Sequence, residues 1–229
     1  MALSKKSDLN YRNVLAVIYI CVWLISAINP YYFADWLLEN ALVLGAALLF
    51  VLAAHHNACL SKLSNTFIFV FLCLHSVGAH YTYSLVPYDE WFNGIMGLSF
   101  NQLVGWERNN FDRIVHFSFG LLLTYPIREV LLRFAGLGST AWSYLLPFLI
   151  IVTASTSFEL IEWLAAIVFG GDLGQAYLGT QGDEWDSHKD TALAAMGSLI
   201  LVTTVLINQI LCSTNRQEQI KIAKSFKFN

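Results

Sequence analysis

Residues 141–169 read AWSYLLPFLIIVTASTSFELIEWLAAIVF, an almost unbroken apolar run that carries two acids, Glu159 and Glu162. The run is longer than the roughly 20 residues that an α-helix needs to cross a bilayer. An ionised side chain at the bilayer centre costs on the order of 3 kcal/mol, so acids inside such a run are rare. The stretch therefore predicts a transmembrane helix and, within it, functional carboxylates.

The rest of the chain has the same apolar character. Of its 229 residues, 56% are hydrophobic and only 13% are charged, which is typical of a polytopic membrane protein and not of a soluble enzyme. We predict an all-α bundle of six transmembrane helices in a single domain, residues 1–229. The six segments are roughly 13–29, 36–54, 66–84, 111–132, 141–169 and 191–212.

The basic residues predict the orientation of this bundle. With both termini in the cytoplasm, ten of the 13 Lys and Arg residues fall on the cytoplasmic side, which satisfies the positive-inside rule. The other three are Arg108, Arg113 and Lys189. Most of the acids fall on the opposite side or inside the membrane, so the outer face attracts cations. No basic stripe with interleaved aromatic residues indicates nucleic-acid binding.

Ionisable side chains lie at similar depth on several of the predicted helices. Asp112 and His116 are i,i+4 neighbours near the start of the fourth helix, and Glu159 and Glu162 are i,i+3 neighbours in the fifth. Helical spacing therefore puts each pair on one face. Because all four lie toward the outer ends of their helices, we expect them to converge.

A third acidic stripe leads into the last helix. Asp183, Asp186 and Asp190 follow an i, i+3, i+7 pattern, which forms one face if that helix begins near Gln181. The stripe continues through Ala194 and Gly197, small residues that allow helices to approach closely. The acids of the last helix are thus predicted to face another helix.

The third helix offers two histidines. His75 and His80 are five residues apart, about 140° around a helix, so they are not expected to enter one site together. His80 is the preferred candidate because it lies nearer the outer end, with Ser84 one turn further along the same face. Whether His75 joins the site stays open.

Each of these groups also has a purely structural interpretation. Asp112 and Arg113 can form a local ion pair at a helix start. Residues 182–186 can be an exposed acidic loop that precedes the last helix. His188, beside Lys189, is expected to be solvated. Glu159 and Glu162, inside an apolar run, are the hardest to explain without a function.

Four ordered stretches carry a family resemblance. They are HSVGAHYTYS at 75–84, RNNFDRIVHF at 108–117, SFELIEW at 157–163 and GTQGDEWDSHKD at 179–190. Together they resemble the YjdF-like inner-membrane proteins of bacteria, which implies the same location but no particular reaction. That family often has Tyr where Phe158 stands and Met where Thr191 stands, and neither difference removes a candidate ligand.

A weaker similarity is to VanZ-like proteins, which are linked to glycopeptide antibiotic resistance. It rests on Asp112-x-x-x-His116 followed by an acidic segment before a helix. This similarity implies a place in the cell envelope, not a reaction.

The leading functional hypothesis is a membrane-embedded, metal-dependent hydrolase or transferase that acts on a lipid or lipid-linked envelope substrate. Histidine and carboxylate ligands suit Zn²⁺, Mn²⁺ or Fe²⁺, and such a metal activates a bound water. The predicted metal ligands are His80, Asp112, His116, Asp186 and Asp190. The predicted catalytic groups are Glu159, Glu162 and Asp183, with Glu159 or Glu162 as the general base.

Two other classes of function stay open. Embedded acids and histidines also serve ion-coupled small transporters, although no inverted repeat supports one here. In an accessory or binding protein of the envelope, the buried acids would pair only with Arg108, Arg113 and one another. Measuring the metal content of the purified protein separates these hypotheses. The sequence names neither the substrate nor the oligomeric state.

Overall fold

Helices account for the regular structure of this protein. The computed structural model describes residues 2–55, 60–171, 174 and 178–225, and within them it has no strand. The helices are α1 (Ala2–Ser26), α2 (Phe33–His55), α3 (Lys62–His80), α4 (Tyr88–Met96), α5 (Phe100–Val104), α6 (Phe111–Arg133), α7 (Trp142–Phe169) and α8 (Asp186–Ser225). The all-α fold predicted from the sequence is confirmed.

Within the described part of the chain, the helices long and apolar enough to cross a membrane are α1, α3, α6, α7 and α8. Within the described residues, the candidate spans are Leu9–Ser26, Lys62–His80, Phe111–Arg133, Trp142–Phe169 and Asp186–Ser213. Helix α2 is 23 residues long, but several of its side chains lie outside the described residues. The count of six crossings and the cytoplasmic placement of both termini therefore stay predictions.

Helix α3 ends at His80, so its predicted extension to residue 84 is wrong. The chain turns there because Thr82 and Tyr83 adopt left-handed conformations, with φ of 53° and 51°. The Tyr83 ring then folds back over Gly78, where an added Cβ would lie 2.5 Å from a ring carbon. A side chain at position 78 would therefore displace the Tyr83 ring.

The segment between α3 and α6 folds into the two short helices α4 and α5. The carboxylate of Asp89 accepts hydrogen bonds from the backbone of Asn101 at 2.8 Å and from the Ser99 hydroxyl at 2.9 Å. These bonds hold the pKa of Asp89 below its usual value. They also join the two short helices, and the Tyr88 hydroxyl accepts a bond from the Asn110 backbone at the start of α6.

Helices α6 and α8 approach each other closely, and this contact positions the ionisable side chains one turn away. A Cβ added at Gly120 would lie 1.9 Å from the carbonyl oxygen of Ala194, and one at Gly197 would lie 2.3 Å from that of Phe117. The expectation that small residues of the last helix face another helix is confirmed. One turn toward the acidic end from this contact, α6 carries His116 and α8 carries Asp190.

Glu129 fixes the opposite end of the bundle. Its buried carboxylate accepts hydrogen bonds from the backbone and hydroxyl of Ser61, at 2.8 and 2.7 Å, and from the hydroxyl of Ser64. It also pairs with Arg133 at 2.8 Å. Since Ser61 is the N-cap of α3, these bonds attach the start of α3 to the end of α6.

Candidate functional site

Three ionisable side chains of α6 and α8 converge. Asp112, His116 and Asp190 each offer one ligand atom, and these atoms all lie within 4.8 Å of one another. His116 and Asp190 are buried, whereas the Asp112 side chain is 20% exposed. We call these three residues the histidine–carboxylate group. All three were predicted ligands from two separate helices, and the structure brings them to one place.

Helix α7 adds a fourth side chain to this place. Oε1 of Glu159 lies 3.4 Å from Nε2 of His116, and Oδ1 of Asp112 lies 3.5 Å from the same nitrogen. Glu159 is buried. The imidazole therefore lies between a carboxylate of its own helix and one from α7, and the predicted convergence of these groups is observed.

Two buried oxygens in this region accept no hydrogen bond from the described part of the chain. They are Oε1 of Glu159 and Oδ1 of Asp190. A buried carboxylate oxygen without a partner is costly unless the group is neutralised by a proton, a cation or a metal ion. One imidazole and two carboxylates form a ligand set that suits Zn²⁺, Mn²⁺ or Fe²⁺.

Asp183 and Asp186 lie instead in an arginine network. Arg108 pairs with Asp186, and Arg113 contacts Asp183 at 2.5 Å and Asp186 at 3.1 Å. Lys189 pairs with Asp183 at 2.5 Å. Hydrogen bonds from Lys189, together with Arg113, hold the pKa of the Asp183 carboxyl well below its usual range. A carboxylate so stabilised in its ionised form is a weak proton acceptor.

The start of α8 explains this difference from the predicted stripe. The helix begins at Asp186, not near Gln181, so Asp183 lies in the preceding turn. Its side chain accepts a hydrogen bond from the backbone of Trp185 at 3.1 Å. The three acids therefore do not share one helix face. Of the three, Asp190 is the one that belongs to the histidine–carboxylate group.

Each of the two histidines of α3 contacts another part of the protein through Nδ1. Nδ1 of His80, a predicted ligand, lies 2.9 Å from the carbonyl oxygen of Ser26, so His80 joins α3 to the end of α1. Among the described residues, it is not part of the histidine–carboxylate group. Buried His75 instead contacts the hydroxyl of Tyr83 through Nδ1, at 2.5 Å. Within the described residues, the Ser84 hydroxyl donates a local hydrogen bond to the carbonyl of Thr82.

Asp35 and Glu39 of α2 were missed as site residues, although both are buried. They line a small cavity, which we call the acidic cavity. Its lining residues are Asp35, Glu39, Thr82, Tyr83, Asp112, Glu162, Leu178 and Gly179. An i,i+4 pair of acids in an apolar helix was the available signal, and it is the same kind of signal that identified Glu159 and Glu162.

The pKa of Tyr83 is affected by the carboxylates of the acidic cavity. Burial raises the pKa of its phenol well above the usual value, and the nearby carboxylates of Glu39, Asp112, Glu162 and Asp35 raise it further. Glu162 thus belongs to this cavity, whereas Glu159 lies against His116. The two predicted general bases have different surroundings, and Asp112 is common to both places.

Comparison with known proteins identifies the family. The family described as "Predicted membrane protein (DUF2238)" matches residues 11–209. The chain is also similar to the inner membrane protein YjdF of Escherichia coli (strain K12), with 30% identity over 190 residues that cover 83% of this chain and 86% of the relative. No solved structure matches significantly. The weaker similarity to VanZ-like proteins finds no support in these matches. The chain belongs to the DUF2238 family and is a multi-pass protein of the bacterial inner membrane.

Proposed function

We propose that this protein is a membrane-embedded, metal-dependent hydrolase or transferase that acts on a lipid or lipid-linked envelope substrate. One observation carries the proposal: the ligand atoms of Asp112, His116 and Asp190 lie within 4.8 Å of one another. An acidic cluster alone would be weak support. Here, however, Asp190 is almost fully buried and its Oδ1 has no hydrogen-bond partner in the described part of the chain.

A metal ion bound by these three side chains would keep a coordination position free for water. Catalytic metal sites commonly use three protein ligands and keep a further position open for water. A metal held by these residues would lower the pKa of a bound water and so supply a nucleophile near neutral pH. Glu159 is the candidate general base, because its Oε1 lies 3.4 Å from the His116 imidazole and accepts no hydrogen bond from the described residues.

The surroundings of Glu159 favour a lipid substrate. On α7, Leu160, Ile161, Trp163 and Leu164 flank the two glutamates and are at least half exposed. In a membrane protein, such a surface faces the acyl chains or the headgroup boundary. The helix that supplies Glu159 to the site therefore presents its other face to the bilayer, and a lipid could reach the site from the side.

Metal content tests the proposal directly. The full-length protein, purified in detergent, should carry a stoichiometric transition metal by mass spectrometry. His116→Ala should lose that metal, while Glu184→Gln, which changes an exposed acid of the same region, should keep it. A metal-free wild-type protein that also fails to bind added Zn²⁺, Mn²⁺ or Fe²⁺ would overturn the proposal.

An ion-coupled transporter is the second candidate, and one observation favours it. Asp112 joins the acidic cavity to the histidine–carboxylate group, so ionisable side chains continue from α2 through α6 to α8. Such a series suits proton or cation transfer. Proteoliposomes that acidify when a cation gradient is applied, and that lose this response in Asp112→Asn, would support the transporter over the hydrolase.

A further inference from the structure

We propose that α4 and α5 form an interfacial hairpin whose outer apolar face enters the lipid leaflet at the acidic end of the bundle. The outer apolar face consists of six large exposed side chains, namely Trp91, Ile95, Met96, Leu98, Leu103 and Val104. Its partner is the boundary between lipid headgroups and acyl chains. The inference goes beyond the proposed function and does not depend on a bound metal.

The first argument is the exposure of this face. Ile95 is 79% exposed and Leu103 is 64% exposed. Trp91 and Ile95 are i,i+4 neighbours, so they share one face of α4. Helices α4 and α5 have nine and five residues, too few to cross a bilayer. Because surfaces that stay in water rarely gather so many large apolar side chains, the outer apolar face needs an apolar partner.

The second argument is that the hairpin already has an inner core of its own. The ring centroid of Phe100 lies 5.3 Å from that of Phe92 and 5.5 Å from that of Trp106. The Asp89 carboxylate adds hydrogen bonds from α4 to the start of α5, at Ser99 and Asn101. The hairpin is therefore held together without its outer apolar face, which is left for an external partner.

The third argument identifies that partner as the bilayer. Tyr31 follows α1, and its ring centroid lies 5.9 Å from that of Tyr81, which follows α3. The Tyr81 ring in turn lies 5.8 Å from that of Trp91 on α4. Tyrosine and tryptophan collect where spanning helices leave the membrane. Since α1 and α3 are candidate spans, this series of rings continues the membrane boundary from their ends onto α4.

The charges of the hairpin indicate which lipid chemistry suffices. Residues 85–107 contain no lysine or arginine, and their acids are Asp89, Glu90 and Glu107. Interfacial helices that depend on anionic lipids use basic residues for that attraction. This hairpin has none, so its insertion rests on burial of the outer apolar face. We therefore expect it to insert into a zwitterionic bilayer.

Spin labels test the position of the hairpin in proteoliposomes of phosphatidylcholine. In the full-length chain with its four cysteines replaced by serine, labels are attached at Ile95→Cys, at Leu103→Cys and, as the matched control, at Glu90→Cys. Glu90 is exposed and lies about 140° around α4 from Ile95. Labels at 95 and 103 should collide several-fold more often with oxygen, which concentrates among acyl chains, than with a water-soluble nickel chelate. The label at 90 should show the reverse preference.

Three results would overturn the inference. A preference for the nickel chelate at 95 and 103 would place the outer apolar face in water. Protection of both labels from both reagents would mean that protein, such as a second copy of the chain, covers the face. A preference for oxygen at all three positions would place the whole hairpin among the acyl chains and contradict an interfacial position.

Tryptophan fluorescence gives a second measurement that needs no change of cysteine. Brominated phosphatidylcholine quenches tryptophans that contact its acyl chains. Trp91→Phe should lower the quenched fraction of the emission, because it removes a tryptophan of the outer apolar face. An unchanged or larger quenched fraction in Trp91→Phe would contradict the proposed insertion, even if the cysteine-free chain does not fold.

Discussion

Nε2 of His116 on α6 lies 3.4 Å from Oε1 of Glu159 on α7, and both side chains are buried. Two transmembrane helices thus meet through ionisable groups at a depth where apolar contacts would be cheaper. Because Oε1 of Glu159 has no hydrogen-bond partner among the described residues, the contact is not a completed polar network. A cation at this point would neutralise the carboxylate and hold the helices together.

His116→Ala separates a metal site from a structural ion pair. A metal that binds only the folded state stabilises it by about 2.7 kcal/mol when its concentration is 100 times its dissociation constant. We therefore expect a chelator to lower the unfolding temperature of the wild type but not that of His116→Ala. If the imidazole instead served as a cationic partner of the buried acids, its removal would cost about 3–5 kcal/mol, and chelator would have no effect on the wild type.

Gly120→Ala tests whether the contact between α6 and α8 sets the site geometry. The new Cβ would lie 1.9 Å from the carbonyl oxygen of Ala194, so the helices must separate. We expect a loss of roughly 1–3 kcal/mol in the free energy of unfolding and weaker metal binding, because Asp190 would move away from His116. Both quantities can be measured on one purified sample.

Gly45→Ala is the matched control for that change. Position 45 is also a helix glycine, but a Cβ there meets nothing within 4 Å. Alanine should therefore leave metal binding unchanged and stabilise α2 by up to about 1 kcal/mol through its higher helix propensity. Equal losses in both variants would show that the close contact at Gly120 has no special importance.

Helical periodicity allowed much of the site to be predicted from the sequence. Asp112 and His116 share a face because they are four residues apart. Asp190 faces them because it lies on the same face of α8 as Ala194 and Gly197, which contact α6. These relationships depend on spacing within helices and on small residues. Both are visible in the chain without knowledge of its tertiary structure.

The errors arose where tertiary contacts decide the local structure. The turn after His80 depends on the Tyr83 ring packing over Gly78, which no helical pattern indicates. It places His75, and not His80, next to the acidic cavity through Tyr83. The pairing of Asp183 with Arg113 likewise depends on where α8 begins.

Glu129→Ala should destabilise the protein without affecting metal. The carboxylate accepts bonds from Ser61 and Ser64 and pairs with Arg133, all at the end of the bundle opposite to the site. Because hydrogen bonds to a charged group contribute about 1.5–3 kcal/mol, we expect a loss of that order in the free energy of unfolding. Metal stoichiometry should equal that of the wild type. Loss of metal here would mean that metal content reports only general stability.

The topology can be tested by reporter fusions at residues 60 and 180. Residue 60 lies beside Ser61 and Glu129, at the end that also carries Lys62, Arg128 and Arg133. Residue 180 contacts Arg108 through its carbonyl oxygen, at the acidic end. The positive-inside rule puts the first end in the cytoplasm. The two fusions should therefore report opposite sides, and a shared side would contradict the six-crossing arrangement.

Asp183→Asn should reduce stability in a pH-dependent way. Lys189 and Arg113 hold the pKa of folded Asp183 below its value in the unfolded chain, about 3.9. A depressed folded pKa contributes stability that is fully present above the unfolded value and is lost as the pH falls through the folded value. The wild type should therefore unfold at a higher temperature than Asp183→Asn at pH 7, and the difference should narrow as the pH falls below about 4. Glu184→Gln, which changes an exposed neighbour, should show no such difference at either pH. A gap between wild type and Asp183→Asn that is the same at both pH values would show that the ion pairs of Asp183 do not stabilise this end of the bundle.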